Sequence, residues 1–223
     1  MTRARANPRT DPRWVAARYD RVAWCYPWLE KLFLVPATAR HEAMTQLMLQ
    51  PGHRMLVVGC GLGRSLPELA QRVGPTGRVV AVDLSPRMVN KARDLCARQH
   101  LDHVDVRCAD MVQLRDPEGY DRIWFELSLN SFGDPQAALQ QAWALLRPGG
   151  RCVVLDGRLP PRLNWLTRRT MPVIRWLLER TVLGDPDMDP SKEVARAGLT
   201  HQLRWFRGGT WFVATMEKST MRS

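Results

Sequence analysis

Residues 55–63 read Met-Leu-Val-Val-Gly-Cys-Gly-Leu-Gly, and a second apolar run over 78–84 carries Asp83 near its end. Apolar, β-branched residues that run straight into a glycine cluster describe a buried parallel strand ending in a tight turn. Gly59, Gly61 and Gly63 let the backbone turn sharply and approach a ligand where a Cβ would collide. The next segment, Arg-Ser-Leu-Pro-Glu-Leu-Ala-Gln-Arg-Val, has helical spacing, so the turn opens a helix N-terminus. That end carries partial positive charge and unpaired N–H groups, which favour an anionic ligand group. The second strand sets an acidic side chain beside the end of the first, in reach of ribose hydroxyls. The unit is suited to a nucleoside-bearing cofactor.

The same alternation continues along the chain. The spacing predicts strands over 54–59, 78–83, 103–108, 120–126 and 151–156, with helices over 64–73, 86–99 and 135–146 between them. Ser85-Pro86 and Asp134-Pro135 supply an N-cap followed by a first-turn proline. Repeated βα units of this length predict an α/β fold, a parallel sheet with helices on both faces. Two strands around Gly208-Gly209 read as a C-terminal antiparallel hairpin. Residues 12–35 read as two short helices divided near Pro27, and 37–49 as a third. The expected organisation is therefore a disordered basic tail over 1–11, an N-terminal helical cap over 12–50, and a ligand-binding domain over 51–218. A helical lid over 158–183 is inserted in that domain.

The glycine spacing differs from the dinucleotide fingerprint G-x-G-x-x-G by an early last glycine. Taken with Asp83, Cys-Ala-Asp-Met at 108–111 and Leu-Arg-Pro-Gly-Gly at 146–150, it resembles the class I S-adenosylmethionine (SAM)-dependent methyltransferases, over about Gln50 to Gly157. The resemblance implies a seven-stranded, Rossmann-like sheet, SAM as cofactor and methyl transfer as chemistry. It implies that Gly59, Cys60, Gly61 and Gly63 lie near the methionine part of SAM. Asp83 then binds the ribose with Leu84 beside it, and Met88 packs on the adenine or serves as plain core. Asp110 meets the adenine amino group and the backbone of Met111 a ring nitrogen. Glu126, at the end of the fourth strand, faces the transferring methyl, to take a proton, to stabilise a cationic amine or to bond the cofactor loop. The segment Ala-Arg-Tyr-Asp-Arg-Val-Ala-Trp-Cys-Tyr-Pro-Trp-Leu is similar to the start of enzymes that methylate quinones and phospholipid amines. It makes Tyr19 and Tyr26 candidates for closing over SAM, with Tyr19 bonding the cofactor carboxylate or packing as an aromatic.

Charge distribution bears on the acceptor. The net charge is +11, and residues 1–21 hold six Arg against two Asp, while 158–183 hold six Arg against one Glu. Trp14, Trp165 and Trp176 lie in the same segments. Arg interleaved with Trp suits an anionic membrane surface, and the same mixture suits nucleic acid. The Asn/Asp-Pro-Pro-Tyr/Phe motif of nucleobase amine methyltransferases is absent, which argues against base methylation. The five cysteines form no C-x-x-C pair and the five histidines are scattered, so no metal site is expected. No run reaches the ~18 apolar residues of a membrane span, and the Arg-rich start lacks the apolar core of a signal peptide. Arg-over-Lys usage hints at a GC-rich bacterial genome. The expectation is a cytoplasmic, bacterial SAM-dependent methyltransferase, peripheral at the membrane when its acceptor is lipidic. Its acceptor is small or lipid-like and apolar: a phospholipid amine, a small thiol or a quinone. The alternative is a basic membrane- or RNA-binding protein with a vestigial SAM site.

Overall fold

Met55, Leu56, Val57 and Val58 are all buried, which a strand achieves only when both faces of its sheet are covered. In the computed structural model, which describes residues 11–23, 35–158, 188–199 and 201–220, these residues form the central strand β1 (Arg54–Val58). It pairs in parallel with β2 (Arg78–Asp83) on one side and β4 (Tyr120–Glu126) on the other. Strand β3 (Val104–Cys108) extends the sheet beyond β2, and β5 (Leu146–Gly157) beyond β4. The hairpin β6 (His201–Phe206) and β7 (Trp211–Glu217) completes it, with β7 antiparallel to β5. The order β3-β2-β1-β4-β5-β7-β6 gives seven strands, mostly parallel, with an antiparallel C-terminal pair. This is the sheet expected from the sequence.

Alternate strand residues feed two apolar layers. Met55, Val57, Val79, Ala81 and Trp124 pack with the first three core helices, α2 (Ala37–Gln46), α3 (Leu66–Val73) and α4 (Pro86–Arg98). Leu56, Val58, Val82, Ile123 and Phe125 pack on the other face with α5 (Pro135–Leu145) and with Val194 of α6 (Pro190–Arg196). The helix starts follow their caps: Ser85 accepts from the Met88 N–H at 3.2 Å and Asp134 from the Ala137 N–H at 2.9 Å.

Three local readings change. Helix α6 was not expected, although Asp189-Pro190 repeats the cap-and-proline signal and Asp189 accepts from the Ser191 N–H at 3.1 Å. The Arg147-Pro148-Gly149-Gly150 stretch, which lies before the strand start expected at 151, is an irregular start to β5, because Gly149 N–H donates to Lys218 O at 2.8 Å and Lys218 N–H to Gly150 O at 3.0 Å. Helix α2 stops at Gln46, before Met48 with its positive φ of 45°.

The first helix, α1 (Pro12–Val22), crosses the carboxyl ends of the strands. It is pinned to α4 through Asp20, which accepts from the Ser85 hydroxyl and from the Arg87 N–H at 3.1 Å. Lys91 adds a bond to Ala23 O at 2.9 Å. The second cap helix expected before residue 35, with Tyr26, lies outside the described residues. So do nearly all of the tail over 1–11 and the lid over 158–183. No described helix is long and apolar enough to cross a membrane.

Candidate active site

Strand order reverses between β1 and β4, and open α/β sheets bind ligands at such a point, beyond the carboxyl ends of the strands. A crevice of about 630 Å³, counting its open mouth, lies there. Val58, Gly59, Val82 and Asp83 form one side, Glu126 to Ser128 the other, and Val15 and Tyr19 of α1 the roof.

Asp83 is held in place by two backbone donors, Gly61 N–H to Oδ2 and Ser85 N–H to Oδ1, both at 2.9 Å. A carboxylate has about four acceptor sites, so each oxygen keeps capacity for a ribose hydroxyl. Burial pushes the pKa of Asp83 up, and the N–H bonds oppose that shift.

The glycines divide by role. A Cβ on Gly59 would stand 2.3 Å from the Cβ of Ser128. Its absence lets the end of β1 close on the end of β4. Ser128 cannot move aside freely, since its hydroxyl donates to Val58 O at 2.8 Å. Gly61 lines the crevice, and a Cβ there would meet nothing within 4 Å. Gly63 does not line it. A Cβ at Gly63 would lie 2.9 Å from Leu66 and 3.0 Å from Ala92, so the packing of the loop against α3 and α4 is what requires that glycine. Cys60 is buried, its thiol pKa pushed well up by burial. It borders a side extension shared with Arg40 and Arg64.

Leu84, Met88 and Met111 line the crevice with Ala109, and Met88 and Met111 are buried. Asp110 is not among the lining residues. Its Oδ1 accepts from the Val112 N–H at 3.0 Å and caps the short 3-10 turn over 111–113. Glu126 has both oxygens engaged, by Arg40 Nη1 at 2.7 Å and by the Ser65 hydroxyl at 2.6 Å. It therefore ties α2 to the start of α3, directly behind the glycine loop.

Tyr19 meets Ser131 at 2.8 Å, at the head of a chain of bonds that the sequence did not signal. Asp156, fully buried at the end of β5, accepts from Asn130 N–H at 3.1 Å, Asn130 Nδ2 at 3.0 Å and Gly157 N–H at 2.8 Å. With Nδ2 committed to that carboxylate, Asn130 Oδ1 accepts from the Ser131 hydroxyl at 3.0 Å. The Ser131 oxygen then accepts from Tyr19, which lines the crevice wall. Burial lifts the Tyr19 pKa to about 12, so it stays a neutral phenol at physiological pH. Leu127 also went unsignalled: its φ is 53°, a left-handed conformation that costs a side-chain-bearing residue about 1 kcal/mol or more. Such strain clusters at working sites.

Burial also raises the Asp156 carboxyl to about 7, whereas an unfolded Asp titrates near ~3.9. Between those values the native chain keeps a proton that the unfolded chain has released. The stability this group contributes is full below about pH 4 and is lost as pH rises through about 7. Urea midpoints followed from pH 4 to 8 are expected to fall less steeply in Asp156→Asn than in the parent chain.

Residues 55–150 match the family described as a methyltransferase domain. They belong to the class I SAM-dependent methyltransferases. The chain is 35% identical over 144 residues to nocamycin O-methyltransferase of Saccharothrix syringae, across 64% of this chain and 50% of that protein. It is 26% identical over 127 residues to demethylmenaquinone methyltransferase of Listeria monocytogenes, across 56% of this chain and 54% of that one. The chain thus spans about half the length of these curated relatives. The N-methyltransferase NodS of Bradyrhizobium japonicum, solved with S-adenosylhomocysteine, superposes with a TM-score of 0.62 over 92% of this chain and 98% of its own, at 18% identity. At that identity the likeness concerns the fold. Among the described residues no group of His, Cys, Asp and Glu is arranged to hold a metal ion.

Proposed function

We propose that the methyltransferase domain transfers the methyl group of SAM to a small, largely apolar acceptor that enters beneath α1. The observation that carries this reading is the make-up of the crevice. Its carboxylates are Asp83 on one side and Glu126 on the other, while Val15, Met111, Leu127 and Phe132 make much of the wall apolar. Tyr19 and Ser131 add a neutral polar pair. Relatives named for small-molecule acceptors support it. Of the acceptor classes open in the sequence, a quinone fits better than a phospholipid amine or a thiol, and a hydroxyl-bearing ring, which was not among them, fits the same wall. Such a ring packs on the apolar wall beside the polar Tyr19–Ser131 pair.

SAM supplies an activated methyl group on a sulfonium whose leaving group is a neutral thioether. The protein's task is therefore alignment more than acid–base work. Asp83 holds the ribose, the Gly59–Ser128 contact fixes the spacing of the two strand ends, and Glu126 steadies the glycine loop through Ser65. Tyr19 orients the acceptor rather than deprotonating it, so an acceptor O–H releases its proton to water at the open mouth of the crevice as the methyl is transferred.

A labelled-methyl assay against fractionated extract tests the reading, with lipids, thiols, hydroxylated small molecules and nucleic acid kept apart. Transfer is expected into the small-molecule fraction. Tyr19→Phe is expected to lower kcat/KM for the acceptor about tenfold, the worth of one well-placed hydrogen bond, with SAM affinity unchanged. A loss of SAM affinity instead assigns Tyr19 to the cofactor carboxylate. Vesicle or RNA binding with no SAM affinity is what the alternative, a basic binding module with a vestigial site, requires. On the proposed reading the enzyme works in the cytoplasm, and at the membrane surface when its acceptor is lipidic.

A further inference from the structure

A second, larger cavity lies outside the methyl-transfer crevice, on the sheet face covered by α2 and α3. It encloses about 1340 Å³ counting its open mouth, and the described part of its wall includes Arg40, His41, Arg64, Arg207 and Trp124. Three separate elements bring the arginines together: α2, the loop that opens α3, and the β6–β7 turn. Glu68 is the acidic residue among these wall residues, and Arg72 offsets it at 2.8 Å, while Arg40 is itself bridged to Glu126 at 2.7 Å. Val35, Ala37 and Met44 give the same cavity an apolar flank.

Trp124 supplies an independent observation. It is 1% exposed, and its indole N–H is buried without a hydrogen-bond acceptor. Buried donors without a partner are rare in folded proteins, because each forfeits its bond to water. The guanidinium and imidazole groups supply donors to the cavity, and the residue with the unsatisfied indole N–H lies in its wall. An oxyanion with several acceptor oxygens complements those donors, and Arg forks suit phosphate in particular.

We propose that this cavity is a ligand site for a phosphate group carried on an organic molecule, whose carbon part rests on the apolar flank. The cavity is separate from the crevice lined by Asp83 and Tyr19, although Arg40 and Arg64 also border the side extension of that crevice, and the proposal does not depend on the methyl-transfer reading. The phosphate is either that of a soluble phosphoester or that of an anionic lipid headgroup.

The test uses the full chain, labelled with nitrogen-15, at low ionic strength and without SAM. Glycerol phosphate is titrated while the Trp124 indole N–H resonance is followed, identified by its loss in Trp124→Phe. Vesicles of phosphatidylglycerol or phosphatidylcholine are pelleted with the protein in parallel. A saturable downfield shift with glycerol phosphate, weakened roughly fivefold in Arg207→Gln, supports a soluble phosphoester. No shift, but pelleting with phosphatidylglycerol alone that Arg207→Gln reduces, supports the headgroup. Arg207 sits on an exposed turn, so its variant carries the test even if Trp124→Phe fails to fold. The absence of both effects, or equal binding by Arg207→Gln and parent, overturns the site. Because SAM is absent throughout, that failure leaves the methyl-transfer reading untouched.

Discussion

Replacing Asp83 by alanine is expected to weaken SAM binding about a hundredfold, the loss of two hydrogen bonds to a charged group at roughly 1.4 kcal/mol each. The effect is large because the side chain acts in two directions. Toward the cofactor, on the proposed reading, it offers the remaining acceptor sites of both oxygens to the ribose hydroxyls. Toward the protein it fixes the glycine loop through Gly61 N–H and the start of α4 through Ser85 N–H. Alanine leaves both donors without their acceptor, so the loop loses its shape as well as its ligand. Asn is not a neutral replacement, since its amide nitrogen would face one of two N–H donors. Calorimetric titration with SAM and with S-adenosylhomocysteine reads the affinity, and a thermal melt shows whether the fold has survived. Unchanged affinity in a folded Asp83→Ala would falsify the ribose assignment.

Gly59→Ala is expected to be the most destabilising single-methyl change in the glycine loop, by about 3 kcal/mol, the scale of overpacking in a tight core. Its Cβ would stand 2.3 Å from Ser128 Cβ at a φ of 75°, and the bond from Ser128 to Val58 O resists displacement. The clash and the backbone strain can be separated. Adding Ser128→Gly removes the clash and leaves the left-handed backbone cost, so the double variant should recover a substantial part of the loss. A coupling energy above about 1 kcal/mol is expected, as for residues in direct contact. Gly61→Ala is the contrasting control. With nothing within 4 Å of its Cβ and a φ of 51°, it should cost about 1 kcal/mol of stability, and its methyl would enter the crevice and weaken SAM binding. Urea unfolding of Gly59→Ala, Ser128→Gly, their double and Gly61→Ala distinguishes these outcomes.

The parts of the molecule legible in its sequence are those where local chemistry and tertiary need coincide. Strands β1, β2 and β4 stand out because residues buried on both faces leave an uninterrupted apolar run, and α4 and α5 because Ser85-Pro86 and Asp134-Pro135 cap and start them. Helix α6 carried the same signal in Asp189-Pro190, but its seven residues are too short for a clear amphipathic period. The start of β5 misleads because Arg-Pro-Gly-Gly is turn chemistry, while the bonds that make it strand come from Lys218, far along the chain.

The site divides in the same way. Asp83 and the glycines belong to a local motif and were legible. The reason for Gly63 was not, since its neighbour Ala92 lies on another helix. Asp110 reads as a ligand in sequence, yet its nearest donor is the backbone two residues on. The partners of Glu126 come from α2 and the α3 loop, and the Asp156–Asn130–Ser131–Tyr19 chain joins β5 to α1. Such pairings arise only when the sheet assembles, and no spacing along the chain announces them. The lone hint was that Ser128 and Asn130 follow Glu126 at a strand end, where ligands gather.

The measurement that bears most directly on the crevice is a crystal structure of the protein grown with S-adenosylhomocysteine. The expected result is the two ribose hydroxyls within about 3 Å of the Asp83 carboxylate, with the sulfur lying between the ends of β1 and β4 beneath Tyr19. A nucleoside bound elsewhere on the molecule, or a crevice filled by its own side chains with the compound absent at saturating concentration, contradicts it.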